Sequence, residues 1–444
     1  MSNSTEHHRS VPQLRFPEFS GDWERKRLGE VYTFKVTNSF SRENLNYEDG
    51  AVKNIHYGDI HTKFQTLFDV ANENVPFINP EISIGRISED NYCKEGDLIL
   101  ADASEDLNDV GKSIEIINLN NEKLLSGLHT ILARPSLEKL SIGFGGYLFM
   151  SNKIRTQIQK ESQGSKVLSI SSTRLSKIAL IFPSKAEQQK NASFFTAIDE
   201  KLQSLKKKKS LLEGYKKGVM QRLFCLHNES GKRLNRELNG LQDDTDFEDN
   251  SETAKSLNQL NLRFRQDNGS EFPDWEVKKL GEVVDIKKGE QLNKEELTEN
   301  GTYPCLNGGI NPSGYTEKYN SDENTITISE GGNSCGYINY MNSKFWLGGH
   351  CYKVIMTIEI NKIYFYQLLK LNEQKIMNLR VGSGLPNIQQ KDLRNFNLVI
   401  CNSIEEQTKI ANFLSALDEK IKSVQEQIEK MEVWKKGLLQ KMFV

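Results

Sequence analysis

An internal repeat constrains this sequence more than any other feature. The segment that begins at Glu187 reads EQQKNASFFTAIDEKLQSLKKKKSLLEGYKKGVMQRLF, and the segment that begins at Glu406 reads EQTKIANFLSALDEKIKSVQEQIEKMEVWKKGLLQKMF, at a constant shift of 219 residues. Matching stretches also precede the two copies, at Gly164 and Gly382, at His129 and His350, and at Trp23 and Trp275. Such self-similarity indicates a duplicated folding unit, here a globular domain followed by a long helix.

The repeat divides the chain into five predicted segments. We predict a first globular domain over residues 12–183, a first helix over 184–226, a linker over 227–260, a second globular domain over 261–402 and a second helix over 403–444. The linker is polar and mostly acidic, which is typical of a flexible connection.

The globular segments are predicted to be mixed α/β (α+β). Strand-like runs such as GDLILAD, TITIS, HTILARP, CYKVIM and NLVIC alternate with Gly- and Asn-rich turns. Each copy also has one helical stretch, YLFMSNKIRTQIQK in the first and IYFYQLLKLNEQKIMNL in the second. The predicted fold is therefore two α/β domains separated by a long antiparallel two-helix coiled coil.

The two long helices carry apolar residues at spacings of four and three, with Ser184 and Ser403 as candidate N-caps. The residues predicted to pair the helices are Ile198, Leu202, Leu205, Leu212, Val219, Leu417, Ile421, Val424, Ile428, Met431 and Leu438. Because Lys209, Lys216 and Lys435 interrupt this pattern, pairing of the two unlike helices is favoured over a homodimeric zipper. An unbroken helix over 187–224 would be about 57 Å long.

Composition excludes several broad classes. Charged residues make up 27% of the chain and the formal net charge is −2, so a uniformly basic nucleic-acid binder is excluded, but a local basic face is not. No apolar run is long enough to span a membrane, and the opening MSNSTEHHRS does not resemble a signal peptide, so we expect a cytoplasmic protein. Six scattered cysteines without a CxxC pair are expected to be reduced and mostly buried.

Motifs for common catalytic chemistries are missing. The sequence has no GxxxxGK[ST], GxSxG or HExxH, and GFGGYLF at Gly143 leads into a helical stretch instead of forming a cofactor loop. The NPPY-type motif of amino-methyltransferases is also absent, since Asn79-Pro80 and Asn311-Pro312 continue differently. His129 and His350 lie in apolar runs without partners at ligand spacing, so we interpret them as structural histidines and predict no metal site.

The order of motifs, repeated twice, resembles the specificity subunit of type I restriction-modification enzymes, the HsdS family, over nearly the whole chain. The family's junction has a Gly-Ser turn, an Ile segment, a short strand, then E-Q and an apolar helix. Here it is carried by Gly164, Ser165, Ile170, Glu187, Gln188, Ile198, Asp199 and Lys201, and by Gly382, Ser383, Ile388, Glu406, Gln407, Leu417, Asp418, Lys420 and Ile421. The blocks WERKRLGEV and WEVKKLGEV, YGDI and YPCLNGGI are also similar to family motifs.

The resemblance implies a subunit without catalysis of its own. Such a subunit reads a split, asymmetric sequence of double-stranded DNA and recruits two methyltransferase subunits and, for restriction, two ATP-dependent restriction/translocase subunits. S-adenosylmethionine, ATP and Mg²⁺ would then bind to those partners, and no cofactor would bind to this chain.

Base reading requires donors and acceptors on loops, with cationic groups on the phosphates. The candidate DNA-binding residues are Ser104, Asn108, Lys112, Ser165, Lys166 and Arg174 in the first domain and Asn333, Ser334, Tyr337, Arg380 and Ser383 in the second. The alternative is that these Gly-, Ser- and Asn-rich clusters are simply turns.

Two further helix features have more than one interpretation. The basic run Lys206 to Lys209 could follow a DNA backbone or form a solvated helix flank. Tyr215 and Trp434 occupy equivalent positions and could anchor a partner subunit, although packing of the helix ends is favoured. For the whole chain, the rival hypotheses are a coiled-coil scaffold whose two domains bind a ligand without reading DNA sequence, and a nuclease or methyltransferase with degenerate motifs.

Overall fold

A computed structural model of the protein describes residues 11–224, 262–382, 384 and 386–444. The predicted linker lies outside the described residues. Contacts divide the chain into two units, Met1–Lys206 with Glu426–Val444, and Lys207–Gln425. Each unit thus combines one globular domain with part of each long helix. This division follows contacts in space and not segments of the sequence, so it does not test the predicted segment boundaries, which stay a prediction.

The first globular domain is built mainly from short strands. Its strands are β1 (Glu24–Arg27), β2 (Tyr32–Lys35), β3 (Leu45–Asn46), β4 (Lys53–Ile55), β5 (Leu67–Asp69), β6 (Phe77–Ile78), β7 (Leu98–Ala101), β8 (Ala103–Ser104), β9 (Ser113–Asn118), β10 (Leu124–Ser126), β11 (Thr130–Pro135), β12 (Leu168–Ser169) and β13 (Ala179–Phe182). Its helices are α1 (Leu28–Val31), α2 (Tyr57–Thr62), α3 (Phe144–Met150), α4 (Asn152–Glu161) and α5 (Ser172–Leu175), with 3₁₀ turns at Arg42–Asn44 and Glu89–Asn91. The long helix α6 (Lys185–Leu223) follows.

Two sheets share the core of this first domain. The larger has the strand order β2-β11-β7-β9-β5 and the smaller has β10-β4-β6-β3. Ile99 and Leu132 of the larger sheet belong to the same buried cluster as Ile55 and Leu124 of the smaller one. Burial of an aliphatic side chain of this size contributes about 1.5 to 3 kcal/mol, so this cluster fixes the two sheets against each other.

The second globular domain repeats the plan. Its strands are β14 (Glu276–Lys279), β15 (Val284–Lys288), β16 (Tyr303–Leu306), β17 (Gly314–Thr316), β18 (Thr325–Ser329), β19 (Ile338–Met341), β20 (Trp346–Leu347), β21 (Cys351–Met356) and β22 (Asn397–Ile400). Its helices are α7 (Leu280–Val283), α8 (Lys362–Leu371), α9 (Glu373–Met377), α10 (Gln390–Arg394) and the long α11 (Ile404–Met442), with a 3₁₀ turn at Lys294–Glu296. The order β15-β21-β18-β19 matches β2-β11-β7-β9, and the pair β14-β22 matches β1-β13.

The LGEV block shows why the two copies open alike. Leu28 and Leu280 are fully buried at the first turns of α1 and α7. A Cβ on Gly29 would lie 2.9 Å from Cβ of Ser176, and one on Gly281 would lie 3.0 Å from Cβ of Arg394. Glycine is required here because the neighbouring segment approaches so closely.

One helical prediction needs correction. The stretch predicted as a single helix in each copy is two helices, because Ser151 between α3 and α4 has extended backbone angles and Asn372 separates α8 from α9. The strands predicted from GDLILAD, TITIS, HTILARP, CYKVIM and NLVIC are all present as β7, β18, β11, β21 and β22.

The long helices pair antiparallel within each unit. In the first unit, Asp199 contacts Lys435 at 2.5 Å and Lys206 contacts Glu432 at 2.7 Å, so positions on α11 fall as those on α6 rise. In the second unit, Lys216 contacts Asp418 at 2.6 Å. The predicted α/β domains with antiparallel helix pairing are therefore confirmed.

The predicted apolar seam lies inside these pairs. Buried seam residues are Ile198, Leu202, Leu205, Val219, Leu417, Val424, Ile428 and Leu438, while Leu212, Ile421 and Met431 are half-buried. Two of the three interrupting lysines, Lys216 and Lys435, pair with the equivalent aspartates Asp418 and Asp199 of the opposite helix. Their charges thus add specific contacts to the seam, as expected for pairing between unlike helices.

Cysteines and helix lengths complete the description. Cys93, Cys305, Cys335, Cys351 and Cys401 are free and buried, as predicted, while Cys225 lies outside the described residues. Among the helices that the structure describes, none is both long and apolar enough to cross a membrane.

Candidate nucleic-acid interface

The E-Q signature joins each long helix to its globular domain. Glu187 is almost completely buried and accepts hydrogen bonds from Nε and Nη2 of Arg15, both at 2.7 Å. Its repeat equivalent Glu406 accepts from Nε of Arg263 and from Nε1 of Trp275, both at 3.1 Å. These charge-assisted contacts tie the segment before each domain to the first turn of the helix after it.

The neighbouring glutamines complete this junction. Gln188 accepts from the Ser141 N–H at 2.8 Å and donates to the carbonyl oxygens of Lys139 and Pro183 at 2.9 Å. Gln407 accepts from the Asn361 N–H at 2.8 Å and donates to the Cys401 carbonyl at 2.7 Å. The amide groups of both side chains are thus satisfied by backbone, so E-Q has a structural role at the junction.

Loops from distant parts of the sequence meet at one end of the central strands in each domain. In the first domain, β8 pairs with β12, which places Ser104 opposite Leu168 and near the Gly-Ser turn. In the second domain, Gly331 forms a bridge with Asn387, and the Gly332 N–H donates to the Pro386 carbonyl at 3.0 Å. We call the surface around Ser104 and Leu168 the first loop face, and the surface around Gly331 and Asn387 the second loop face.

Each loop face contains an imidazole beside a carboxylate. Nδ1 of His129 lies 3.3 Å from Oδ1 of Asp102, and Nδ1 of His350 lies 3.9 Å from Oε2 of Glu330. The two imidazoles are 53% and 63% exposed. Both histidines lie in the turns that precede β11 and β21 and are more than half exposed, so their predicted position inside apolar strands is wrong. The sequence contained a signal for this arrangement. In both copies an acidic residue directly follows the central strand, and a Gly-containing turn directly precedes the strand that pairs with it.

The same backbone frame holds both imidazole–carboxylate pairs. The Asp102 N–H donates to the His129 carbonyl at 3.0 Å, and the Glu330 N–H donates to the His350 carbonyl at 2.9 Å. The carbonyls of Asp102 and Glu330 in turn each accept at 2.8 Å from the N–H of Ile170 and Ile388, the Ile residues of the junction signature. This repetition fixes the two loop faces as equivalent surfaces.

The two carboxylates differ in the partners that surround them. Burial raises the pKa of Asp102, and the adjacent His129 partly offsets this effect. Glu330 accepts from Nζ of Lys288 at 2.6 Å and from the Tyr352 hydroxyl at 2.9 Å. Among the described residues, no cluster of His, Cys, Asp or Glu could hold a metal ion.

Comparison with known proteins identifies the family. Residues 20–214 and 273–433 match the sequence model of the type I restriction modification DNA specificity domain. The chain belongs to this family. The two matches cover both globular domains and much of both long helices.

Individual specificity subunits resemble the chain to different extents. A type I specificity subunit of Mycoplasma pneumoniae is 38% identical over 158 residues, which is 35% of this chain and 42% of that protein. The MjaX type I restriction enzyme specificity subunit of Methanocaldococcus jannaschii is 24% identical over 443 residues, 95% of this chain and 93% of that protein. The chain spans about two fifths of the length of the first curated relatives it matches, 42%, 41% and 44%.

A solved structure shares the fold. The crystal structure of a type I restriction-modification system S subunit from Mycoplasma genitalium covers 98% of this chain and 99% of its own, with a TM-score of 0.59 and 17% identity. At this identity the likeness concerns the fold alone.

In the first domain, the residues predicted to bind DNA differ in their exposure and in whether they already have partners within the fold. Asn108, Ser165 and Lys166 are exposed and Ser104 is partly exposed. Lys112 donates to the His61 carbonyl at 2.7 Å, and Arg174 lies 3.4 Å from Glu161, so both cations already have partners within the fold. Contact with DNA stays a prediction for all of them.

The second domain gives a similar result. Asn333 and Arg380 are exposed, whereas Ser334 and Tyr337 are half-buried. Nζ of Lys370 lies 4.0 Å from the ring centroid of Tyr337, which is a cation–π distance. Ser383 lies outside the described residues.

The structure also shows the surroundings of the basic run and of the two aromatic residues on the long helices, for which the sequence left two interpretations. Lys206 pairs with Glu432 at 2.7 Å and Lys209 with Glu213 at 3.5 Å, as expected for a solvated helix flank. Tyr215 and Trp434 are 55% and 50% exposed, so the favoured packing of the helix ends accounts for only part of their surface. Trp434 packs edge-on against Phe194 at 6.2 Å.

Proposed function

We propose that this chain is the non-catalytic DNA-recognition subunit of a type I restriction-modification complex. In this proposal its two domains read two different half-sites of one asymmetric, bipartite target in double-stranded DNA. Two methyltransferase subunits and, where restriction occurs, two restriction/translocase subunits supply all chemistry, together with S-adenosylmethionine, ATP and Mg²⁺. Family membership over both halves of the chain supports this proposal.

One observation carries the two-half-site proposal: the loop faces share a backbone frame but differ in side chains. Beside the imidazole, the first domain has Tyr57, whose ring packs against His129 at 5.3 Å. The second domain has Asn307, whose Oδ1 accepts from the His350 N–H at 3.2 Å. Because base reading depends on donors, acceptors and shape at the groove edge, unlike side chains on like frames select unlike sequences.

The long helices are proposed to set the spacer between the half-sites. α6 and α11 have 39 residues each, which corresponds to about 58 Å at 1.5 Å per residue. Half-sites one helical turn apart are roughly 34 Å from each other, a distance within this length.

Partly exposed aromatic surfaces are proposed to bind the methyltransferase subunits. In the first unit, Phe16, Phe194 and Trp434 form a row with ring centroids 5.6 and 6.2 Å apart. In the second unit, Phe264 packs on Phe413 at 6.1 Å, and Tyr215 is the exposed equivalent of Trp434. One such surface on each unit fits two copies of one partner, since aromatic residues are enriched at interfaces.

Methylome sequencing tests the proposal. Cells that contain the methyltransferase subunits are compared with and without this chain. We expect methylation at one split motif of two specified blocks, and its loss when the chain is deleted. An unchanged pattern after deletion would contradict DNA recognition and favour the scaffold hypothesis.

Experiments on the purified protein provide a second test of the proposed function. Incubated alone with DNA, Mg²⁺ and S-adenosylmethionine, it should neither cut nor methylate DNA, and activity without partners would contradict the non-catalytic assignment. Gel-shift competition against random duplex at fixed salt should show a sequence-dependent component, because non-specific binding depends mainly on phosphate charge.

A further inference from the structure

The two imidazole–carboxylate pairs have unsatisfied hydrogen-bonding capacity at the loop faces. In the first domain, Oδ1 of Asp102 is buried, 3.3 Å from Nδ1 of His129, and the side chain is 31% exposed, so the oxygen that a ligand can reach is Oδ2, for which the described chain offers no hydrogen-bond donor. In the second domain, Lys288 and Tyr352 both donate to Oε1 of Glu330, whereas Oε2 faces His350 at 3.9 Å, beyond hydrogen-bond reach. Each pair therefore keeps one carboxylate oxygen ready to accept.

Backbone conformation adds a second observation in the first domain. His129 has a φ of 54°, in the left-handed region that non-glycine residues rarely adopt. Such conformations persist only where surrounding contacts impose them, and they cluster at binding and catalytic sites. The Asp102 N–H bond to the His129 carbonyl, at 3.0 Å, is one contact that imposes it.

We infer that Asp102 and Glu330 are specificity-determining residues, each accepting a hydrogen bond from the amino group of an adenine or cytosine, with His129 and His350 positioned against the same base pair. This inference rests on the proposed function and deepens it. It assigns one defined base position to each half-site.

The chemistry of a carboxylate favours a base over a phosphate as the ligand. A carboxylate is acceptor-only when ionised, and its charge repels a phosphate. In the major groove, the donors that face a protein are the amino groups of cytosine N4 and adenine N6. A carboxylate beside an imidazole thus offers an acceptor next to a group that can donate or accept, which matches an amino group and its neighbouring ring or carbonyl atom.

The surroundings of the second pair form an open recess that can admit a base edge. Its volume is about 430 Å³, and it is lined in part by Lys288, Asn307, Glu330, His350 and Asn387. In the first domain, the ring of Tyr57 packs against His129, and strand β8, which contains Ser104, directly follows Asp102 in the sequence. The Asp102 and Glu330 side chains are 31% and 13% exposed, so a base edge can reach part of each carboxylate from outside.

Alanine substitutions in the full chain, assembled with its methyltransferase subunits, test the inference. The wild-type methylome must first show a split motif; its absence would overturn the proposed function itself. We then expect Asp102→Ala to reduce discrimination at one adenine or cytosine position of one half-site by about tenfold to a hundredfold. Glu330→Ala should do the same in the other half-site only.

Both variants are expected to fold. Asp102→Ala removes a buried acceptor that lacks a hydrogen bond, and Tyr352 keeps the Ile388 carbonyl as acceptor, at 3.1 Å, when Glu330 is lost. Matched controls are Glu138→Ala and Glu359→Ala, exposed carboxylates that follow the far ends of β11 and β21. The controls should leave every motif position unchanged.

Two outcomes would overturn the inference while the proposed function stands. One is an unchanged motif in both Asp102→Ala and Glu330→Ala. The other is an equal loss at both half-sites from either variant, which would indicate a general loss of binding. If a variant gives no methylation, gel-shift competition with duplexes changed at one base each makes the same comparison, because it requires only the folded complex.

Discussion

The junctions and the loop faces of this protein differ in how closely the two copies agree. At the junctions, Glu187 and Glu406 bind an arginine, and the equivalent pairs Asp199–Lys435 and Asp418–Lys216 join the helices. At the loop faces, the backbone hydrogen bonds repeat but the side chains in contact with the histidines differ, Tyr57 in the first domain and Asn307 in the second.

This difference separates two requirements. A junction must dock the same helix on the same kind of domain twice, so any change leaves a buried charge or amide without its partner. A loop face must keep its geometry while its chemistry varies, and backbone-to-backbone hydrogen bonds allow this because they do not depend on side-chain identity. The copies thus agree where the contacts are buried and differ at the surfaces that we propose to contact DNA.

The largest expected effect is at the junction. Glu406→Ala should destabilise the second unit by about 3 kcal/mol or more, because it removes a buried carboxylate to which Arg263 donates and leaves the buried Nε1 of Trp275 without an acceptor. Native-state hydrogen exchange of β18 and β21 measures the change. The control is Glu405→Ala on the same turn, whose exposed pair with Lys409 at 3.1 Å should contribute less than about 1 kcal/mol. Equal costs for both variants would show that the junction is not specially stabilising.

A second prediction concerns a buried carboxylate found in the first copy. Burial raises the pKa of Glu115 to about 7, although the N–H groups of Gly146 and Gly143 donate to it at 2.7 Å. Between its ordinary value of 4.5 and about 7, the folded domain holds a proton that the unfolded chain releases. Stability should therefore fall as pH rises through this window, by about 3 kcal/mol in total, and stay level above it.

Glu115→Gln and the second domain provide the comparison. The variant should lose the pH dependence between pH 5 and 7.5, and the second domain, which has Tyr340 at the equivalent strand position, should show no counterpart. Opening free energies from hydrogen exchange at both pH values measure this. A first domain equally stable at pH 5 and 7.5 would contradict the buried proton.

The smallest expected effect is at the interhelical ion pairs. The pairs Asp199–Lys435 and Asp418–Lys216 have contacts of 2.5 and 2.6 Å, but Asp418 is more exposed, at 44% against 24%. Double-mutant cycles with Asp→Asn and Lys→Gln should give coupling of about 1 kcal/mol for the first pair and roughly half of that for the second. The exposed pair Lys206–Glu432 serves as control and should couple near zero; central pairs no stronger than this control would refute their role in the seam.

Sequence periodicity was sufficient for the long helices and their pairing. Apolar residues at spacings of four and three define one face over many turns, and the lysines in that face favoured pairing of the two unlike helices over a homodimeric zipper. The positions of Ser151 and Asn372, which break the shorter helices, escaped prediction because the apolar pattern continues across them and only the backbone angles change.

The sequence by itself determined the duplication, the strand-rich domains, the antiparallel helix pairs and, through motif order, the family. These features follow from local periodicity and from repetition along the chain. Only the tertiary structure decided that Ser104 lies opposite Leu168, that E-Q docks each helix on its domain, and that His129 and His350 face outward beside carboxylates. Those contacts join residues far apart in sequence, and strand pairing and burial, which no local pattern encodes, bring them together.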